Sequence, residues 1–165
     1  MRHGKTVRLM IAMSLIAACG GEEATGFTPR QTVLTAETLG DQTVAEASQY
    51  LSNTRYADTN RSNGATQAQI CRACHSLENG GPNMIGPNLF GMFGRPAGQS
   101  AGFGYSEVLA GAGFIWTPRA LDAWLAQPAR FLPGNRMTFP GVMSETDRND
   151  LIAYLLEVTD AGPGG

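Results

Sequence analysis

The segment Cys71-Arg72-Ala73-Cys74-His75 places two thiols and one imidazole in five consecutive positions, then runs into the glycines and prolines of GGPNMIGPN, residues 80–88. Two thiols one helical turn apart can add to the two vinyl groups of a haem while the adjacent imidazole reaches the iron, so C-x-x-C-H predicts covalent haem c attachment. Three other chemistries share these residues. A structural zinc site needs four ligands, and Cys71, Cys74, His75 and a modified Cys19 would need carboxylates to complete it. A thioredoxin-like dithiol expects a βαβ setting. A plain disulfide is the ordinary fate of two cysteines in an exported chain. The haem reading leads because it uses all three groups at their spacing.

An iron held by His75 has a second axial position, and the candidates for it are few. His75 is the only histidine after residue 18, and Lys5 is the only lysine in the chain. What remains is Met84, Met92, Met137 or Met143, or an open or water-filled position. A methionine in an apolar stretch is ordinarily core filling. Met137 stands apart, because PGNRMTFPG, residues 133–141, sets it in a loop between two Pro-Gly pairs. A thioether opposite an imidazole leaves no open coordination position and raises the reduction potential, which is the chemistry of an electron carrier rather than an enzyme. A haem whose methionine swings away to act on peroxide or bind a gas is the enzyme alternative. A haem-free structural lipoprotein is the third reading.

Elements must position these groups. A chain of 165 residues with 42% apolar and 16% charged residues has the composition of a globular domain. Its 21 Gly and nine Pro predict much backbone in turns and loops. Ser62 or Asn63 can cap a first helix running into Cys71. Thr117-Pro118 is a helix start, with a hydroxyl at the N-cap and Pro where no N–H is needed. Ala120, Leu121, Trp124 and Leu125 form that helix's stripe, and Pro128 ends it. Ser144 caps a last helix with Asp147 three residues on, and Leu151, Ile152, Tyr154, Leu155 and Val158 supply its apolar face. No strand alternation separates these helices, so the expected class is all-α. So long an irregular region needs an organiser other than backbone pairing, and an embedded cofactor is one.

The N-terminus reads as an address. Arg2, Lys5 and Arg8 precede the apolar run Leu9–Ala18, so residues 1–18 are expected to be a secretory signal. Ile16-Ala17-Ala18-Cys19 resembles the lipobox of bacterial lipoproteins, which predicts lipidation of Cys19 and explains the odd cysteine count. The expected location is the periplasmic side of a bacterial membrane, lipid-anchored. The alternative is a soluble periplasmic protein after ordinary signal cleavage. Residues 19–62 are expected to be a tether with one short helix in DQTVAEASQYL on a Val44, Ala47 and Leu51 face, with packing of Tyr56 and its neighbours on the domain as the alternative, followed by a domain over 63–160 and a flexible tail over 161–165. Loss of residues 1–18 leaves nine Arg against 14 acidic residues, a net charge of 9 − 14 = −5. That balance excludes nucleic-acid binding, which needs basic surface.

From Asn63 to Thr159 the sequence resembles a class I cytochrome c of the mitochondrial and alphaproteobacterial type. The resemblance runs through CRACHSLENGG, GPNLFGMFGRPAGQ, GFGYS, FIWT, LAQPARFLPGNRMTFPG and RNDLIAYL. It implies a fold of three to five helices and long loops wrapped around one covalently bound haem c. It further implies that His75 and Met137 are axial ligands, that Cys71 and Cys74 are thioether anchors, and that the Pro87 carbonyl receives the His75 ring N–H. Arg95, Tyr105 and Trp116 would meet the haem propionates, and Phe139 would cover the crevice. The implied function is monomeric electron transfer between membrane-bound complexes, from a quinol-oxidising cytochrome complex to a terminal oxidase or similar acceptor. Four departures stand out. Gln67 and Ala68 replace an aromatic before Cys71, which predicts weaker packing against Tyr154. Trp124 replaces a tyrosine and Asn135 a threonine. The ring of lysines around the haem edge is absent, with six Arg and eight acidic residues from Gly64 to Asp160.

Overall fold

The computed structural model describes Met1 and residues 35–161. The expected signal over 1–18, Cys19 and residues 162–165 of the expected tail lie outside them. Apart from Met1, the described residues belong to one unit, Thr32–Gly165. Among them are six α-helical segments and no strand: α1 Ala47–Leu51, α2 Arg61–Arg72, α3 Glu107–Ala110, α4 Pro118–Ala126, α5 Pro128–Phe131 and α6 Glu145–Val158. An isolated antiparallel bridge joins Pro96 to Ile115. The expected class, all-α, holds. The count exceeds the expected three to five because α1, α3 and α5 are little more than single turns.

The caps of α4 and α6 are those the sequence predicts. Thr117 Oγ1 accepts the Ala120 N–H at 3.0 Å and Pro118 opens α4. Ser144 Oγ accepts the Asp147 N–H at 3.2 Å. Pro128 ends α4 as expected, and also begins α5 from its own first position. The start of α2 differs from expectation. Its N-cap is Asn60, whose side chain accepts the Asn63 N–H at 3.0 Å. The reason is tertiary: Asp150 of α6 accepts the Asn60 backbone N–H at 2.8 Å, and Asp147 and Asp150 each accept from the Asn63 amide at 2.8 Å.

α6 is the central element. Leu151, Ile152, Ala153, Leu155 and Leu156 are all buried, so its apolar surface is wider than one face, while Tyr154 and Val158 are half-buried. α2 crosses α6 at Gly64, where a Cβ would lie 2.8 Å from Tyr154 Cβ and collide with the Asp150 carbonyl. Ala68, one turn on, is fully buried. Where the resemblance predicts a weakened aromatic contact, small residues instead let two helices approach backbone to side chain. Trp124 of α4 stacks edge-on against Trp116 at 5.5 Å and Phe131 at 5.9 Å, and Phe114 does the same with Trp116 at 4.8 Å and Phe131 at 5.4 Å.

Within the expected tether over 19–62, the described part packs on the domain, which is the alternative left open for Tyr56 and its neighbours. Leu39 and Tyr56 are buried in the same core as α4 and α6. Gln42 Oε1 accepts the Ile115 N–H at 2.5 Å, and Tyr50 Oη accepts the Ala45 N–H at 3.1 Å. Val44 lies outside α1 and is exposed. Burying a large apolar side chain contributes roughly 1.5–3 kcal/mol, enough for two anchors to hold this segment on the domain.

Candidate haem-binding site

Cys71 lies in the last turn of α2, and the chain then tightens: the N–H groups of Cys74 and His75 both donate to the Cys71 carbonyl, at 3.0 and 2.9 Å. Both thiols are unbridged. Burial pushes the Cys71 thiol up to about 11, so at neutral pH it is an uncharged group in an apolar setting.

His75 Nδ1 lies 2.7 Å from the Pro87 carbonyl oxygen. A carbonyl can only accept, so this contact puts the ring proton on Nδ1 and leaves the Nε2 lone pair for a metal. Burial lowers the proton affinity of the ring, opposed by the Pro87 contact, which favours the neutral imidazole that ligation requires. Gly86 lies against the ring: a Cβ there would lie 2.6 Å from Nδ1, and the Gly86 N–H donates to the Cys74 carbonyl at 2.8 Å. Only a residue without a side chain lets the Pro87 carbonyl come this close. The loop is knit by polar side chains that sequence reasoning passed over. Asn88 Nδ2 donates to Ser76 Oγ at 2.6 Å and to the Glu78 carbonyl at 2.9 Å, and Asn83 Oδ1 accepts the Asn88 N–H at 2.9 Å. Their signal was present as Asn residues interleaved with Gly-Pro, which are turn formers.

The four candidate methionines occupy different settings. Met92 is buried in the core. Met143 is 83% exposed and Met84 47%. Met137 is half-buried against the core, in the loop between α5 and α6. Asn135 holds that loop: its Oδ1 accepts the Met137 N–H at 2.9 Å, and its Nδ2 donates to the carbonyls of Pro128 at 2.9 Å and Leu132 at 2.8 Å. Phe139, two residues beyond Met137, is half-buried. Arg95 donates to the carbonyls of Asn88 at 3.1 Å and Phe90 at 3.3 Å, and burial lowers its pKa. The Tyr105 hydroxyl accepts the Ser100 N–H at 3.3 Å, and its ring stacks edge-on with Phe103 at 4.8 Å. Trp116 belongs to the aromatic cluster of the core.

Two unbridged thiols one turn apart, a ring nitrogen freed by a carbonyl on its partner, and a braced thioether fit a haem c. Leu89, Leu132 and Phe139 add half-buried apolar surface on the same loops. No group of three or more His, Cys, Asp or Glu that could hold a metal ion occurs among the described residues. No family model matches the chain. Cytochrome c of Kluyveromyces lactis is 36% identical over 103 residues, covering 62% of this chain and 94% of that protein. The chain belongs to the cytochrome c family. Cytochrome c of Trypanosoma brucei brucei is 46% identical over 81 residues, covering 49% of this chain and 87% of the relative. A cytochrome c homolog of Bradyrhizobium diazoefficiens is 42% identical over 98 residues, and there the match spans only 53% of the relative's length. The chain is thus a class I cytochrome c, an electron-transfer protein with one covalently bound haem c and not an enzyme.

Proposed function

We propose that this cytochrome c is a His75/Met137-ligated electron carrier working at the periplasmic surface of a bacterial membrane, anchored through a lipid on Cys19. The observation that carries the ligand pair is the setting of its two halves. His75 is held by Pro87 with Nε2 left available, and Met137 is the half-buried methionine on a braced loop. Met92 is committed to the core, and Met84 and Met143 face solvent. When bound, the haem supplies an iron that cycles between ferric and ferrous states. The chain's part is to hold both ligands in place in both states, so that little reorganises when an electron arrives. Cys71 and Cys74 anchor the group, and Arg95, Tyr105 and Trp116 supply donors for its propionates. Phe139 covers the crevice.

The proposed partners are a quinol-oxidising cytochrome complex as donor and a terminal oxidase or similar acceptor. Confinement by the anchor takes the place of charge steering. About 15 residues, 20 to 34, separate Cys19 from the packed segment, so the lead spans at most about 50 Å even when fully extended. No helix among the described residues is long and apolar enough to cross a membrane. The test is absorption spectroscopy on the exported protein. Wild type is expected to show the weak far-red band of thioether-to-iron ligation, and Met137→Ala to lose it while keeping covalent haem. In the same cells Cys19→Ser is expected to move the protein from the membrane to the soluble fraction with its spectrum unchanged. Carbon monoxide binding to the native reduced protein would overturn the ligation reading.

A further inference from the structure

The loop that carries Met137 is held at its far end by the Val142 N–H, which donates to the Leu125 carbonyl of α4 at 2.8 Å, and by one arginine. Arg148 of α6 donates through Nη1 to the carbonyls of Val142 and Met143, each at 2.9 Å. These carbonyls close the stretch from Met137 to α6, and a loop carbonyl without a donor is costly unless water reaches it. Arg148 is itself held through Nε, which donates to Asp122 Oδ1 of α4 at 2.6 Å. The other carboxylate oxygen, Oδ2, accepts from Arg55 Nη2 at 2.9 Å. Arg55 further donates through Nε to Asn149 Oδ1 at 2.9 Å and lies 3.5 Å from Glu145. The side chains of Asp122 and Arg148 are 18% and 12% exposed, so salt screens this pair far less than a surface pair. Arg55, 38% exposed, belongs to the segment that Leu39 and Tyr56 anchor in the core, and its guanidinium lies 5.7 Å from the Tyr56 ring centroid.

We propose that this segment, residues 35–59, braces the methionine loop. Arg55 fixes Asp122, Asp122 fixes Arg148, and Arg148 fixes the loop carbonyls, so the stretch leading towards the membrane sets how readily Met137 leaves the iron. Arg55, Asp122 and Arg148 are positioning residues. Planar guanidiniums suit the role, since each holds several acceptors at fixed angles where a lysine would hold a point. The proposal rests on Met137 being the iron ligand.

The readout is the affinity of ferric holoprotein for imidazole, a small neutral ligand that must displace the methionine, followed through the far-red band. Arg55→Gln is expected to raise imidazole affinity about twofold to fivefold, the scale of one partly exposed ion pair. Asp122→Asn, which loosens both guanidiniums, is expected to raise it about tenfold. Arg55→Lys should restore only part of the loss. Glu107→Gln, at an exposed residue of α3 outside the hub and outside residues 35–59, should leave the affinity unchanged. The combined Arg55→Gln/Asp122→Asn variant should match Asp122→Asn alone, because the two act in series. Urea unfolding is followed in parallel by far-ultraviolet circular dichroism. Variants that lower global stability yet leave imidazole affinity at the wild-type value would overturn the brace while the His/Met reading stands. A wild type without a far-red band would overturn both.

Discussion

The amide of Asn135 does three jobs at the Met137 loop: it accepts the Met137 N–H and donates to the carbonyls of Pro128 and Leu132. Threonine, the residue the family resemblance leads one to expect there, has a single hydroxyl and cannot satisfy all three partners at once. Substitution therefore separates the functions. Asn135→Ala removes every contact and is expected to weaken the far-red band at neutral pH. Asn135→Asp keeps an acceptor for Met137 but turns a carboxylate oxygen towards two carbonyls, and is expected to lower the band further. A band in Asn135→Asp as strong as in wild type would show that the donor side does not matter. His75 was legible at once from C-x-x-C-H. The partner that sets its tautomer, Pro87, came from family resemblance, because nothing in the spacing of residues 75 and 87 says where a carbonyl will point.

At the scale of elements, α4 and α6 could be read because their caps are local: a hydroxyl three residues ahead of the N–H it receives. The start of α2 could not, since Asp150 comes from 90 positions away to capture Asn60. Whether the segment before α2 packs on the domain could not be read for a similar reason. Its composition is polar, and two buried anchors, Leu39 and Tyr56, do not make a periodic pattern. This segment carries its own pH signature. Burial raises the Tyr56 hydroxyl from its usual 10 to about 12. Below about pH 10 the tyrosine is protonated whether folded or unfolded. Above it the unfolded chain loses the proton first, so stability falls as pH rises from about 10 to 12, by up to about 2–3 kcal/mol. Tyr56→Phe, compared with wild type by urea unfolding across that range, should flatten the fall. Parallel slopes would mean that Tyr56 is not the group responsible.

For the whole molecule, charge is the departure with most consequence. Of the six arginines between residues 64 and 160, Arg72 pairs with Glu78 and Arg148 with Asp122, while Arg95 and Arg136 donate to backbone carbonyls. A carbonyl does not cancel a guanidinium's charge, but eight acidic residues over the same span outnumber the six arginines, so the domain has no net positive charge with which to steer a partner. A lysine-ringed relative meets acidic partners at rates that fall steeply with salt. Here the rate of electron exchange with an acidic redox protein is expected to change by no more than about twofold between about 20 and 150 mM salt. A tenfold fall, measured by stopped-flow mixing, would reveal a basic docking face. The alkaline exchange in which lysine displaces methionine is also closed to the chain once residues 1–18 are removed, since Lys5 is its only lysine.

By itself the sequence determined the chemistry that depends on adjacency and elimination. Two thiols and an imidazole in one turn point to covalent haem, and the lack of a second histidine or of any lysine beyond residue 18 leaves a methionine or an open position opposite it. It also determined the helices whose caps lie within three residues of the groups they serve. Tertiary structure alone decided what joins distant positions: Gly64 against Asp150, Gln42 against Ile115, and Asp122 between Arg55 and Arg148. Those contacts span tens of residues and arise from polar groups seeking partners once the apolar core has formed. Residue type shows that such a group needs a partner, and only the folded chain shows which one it finds.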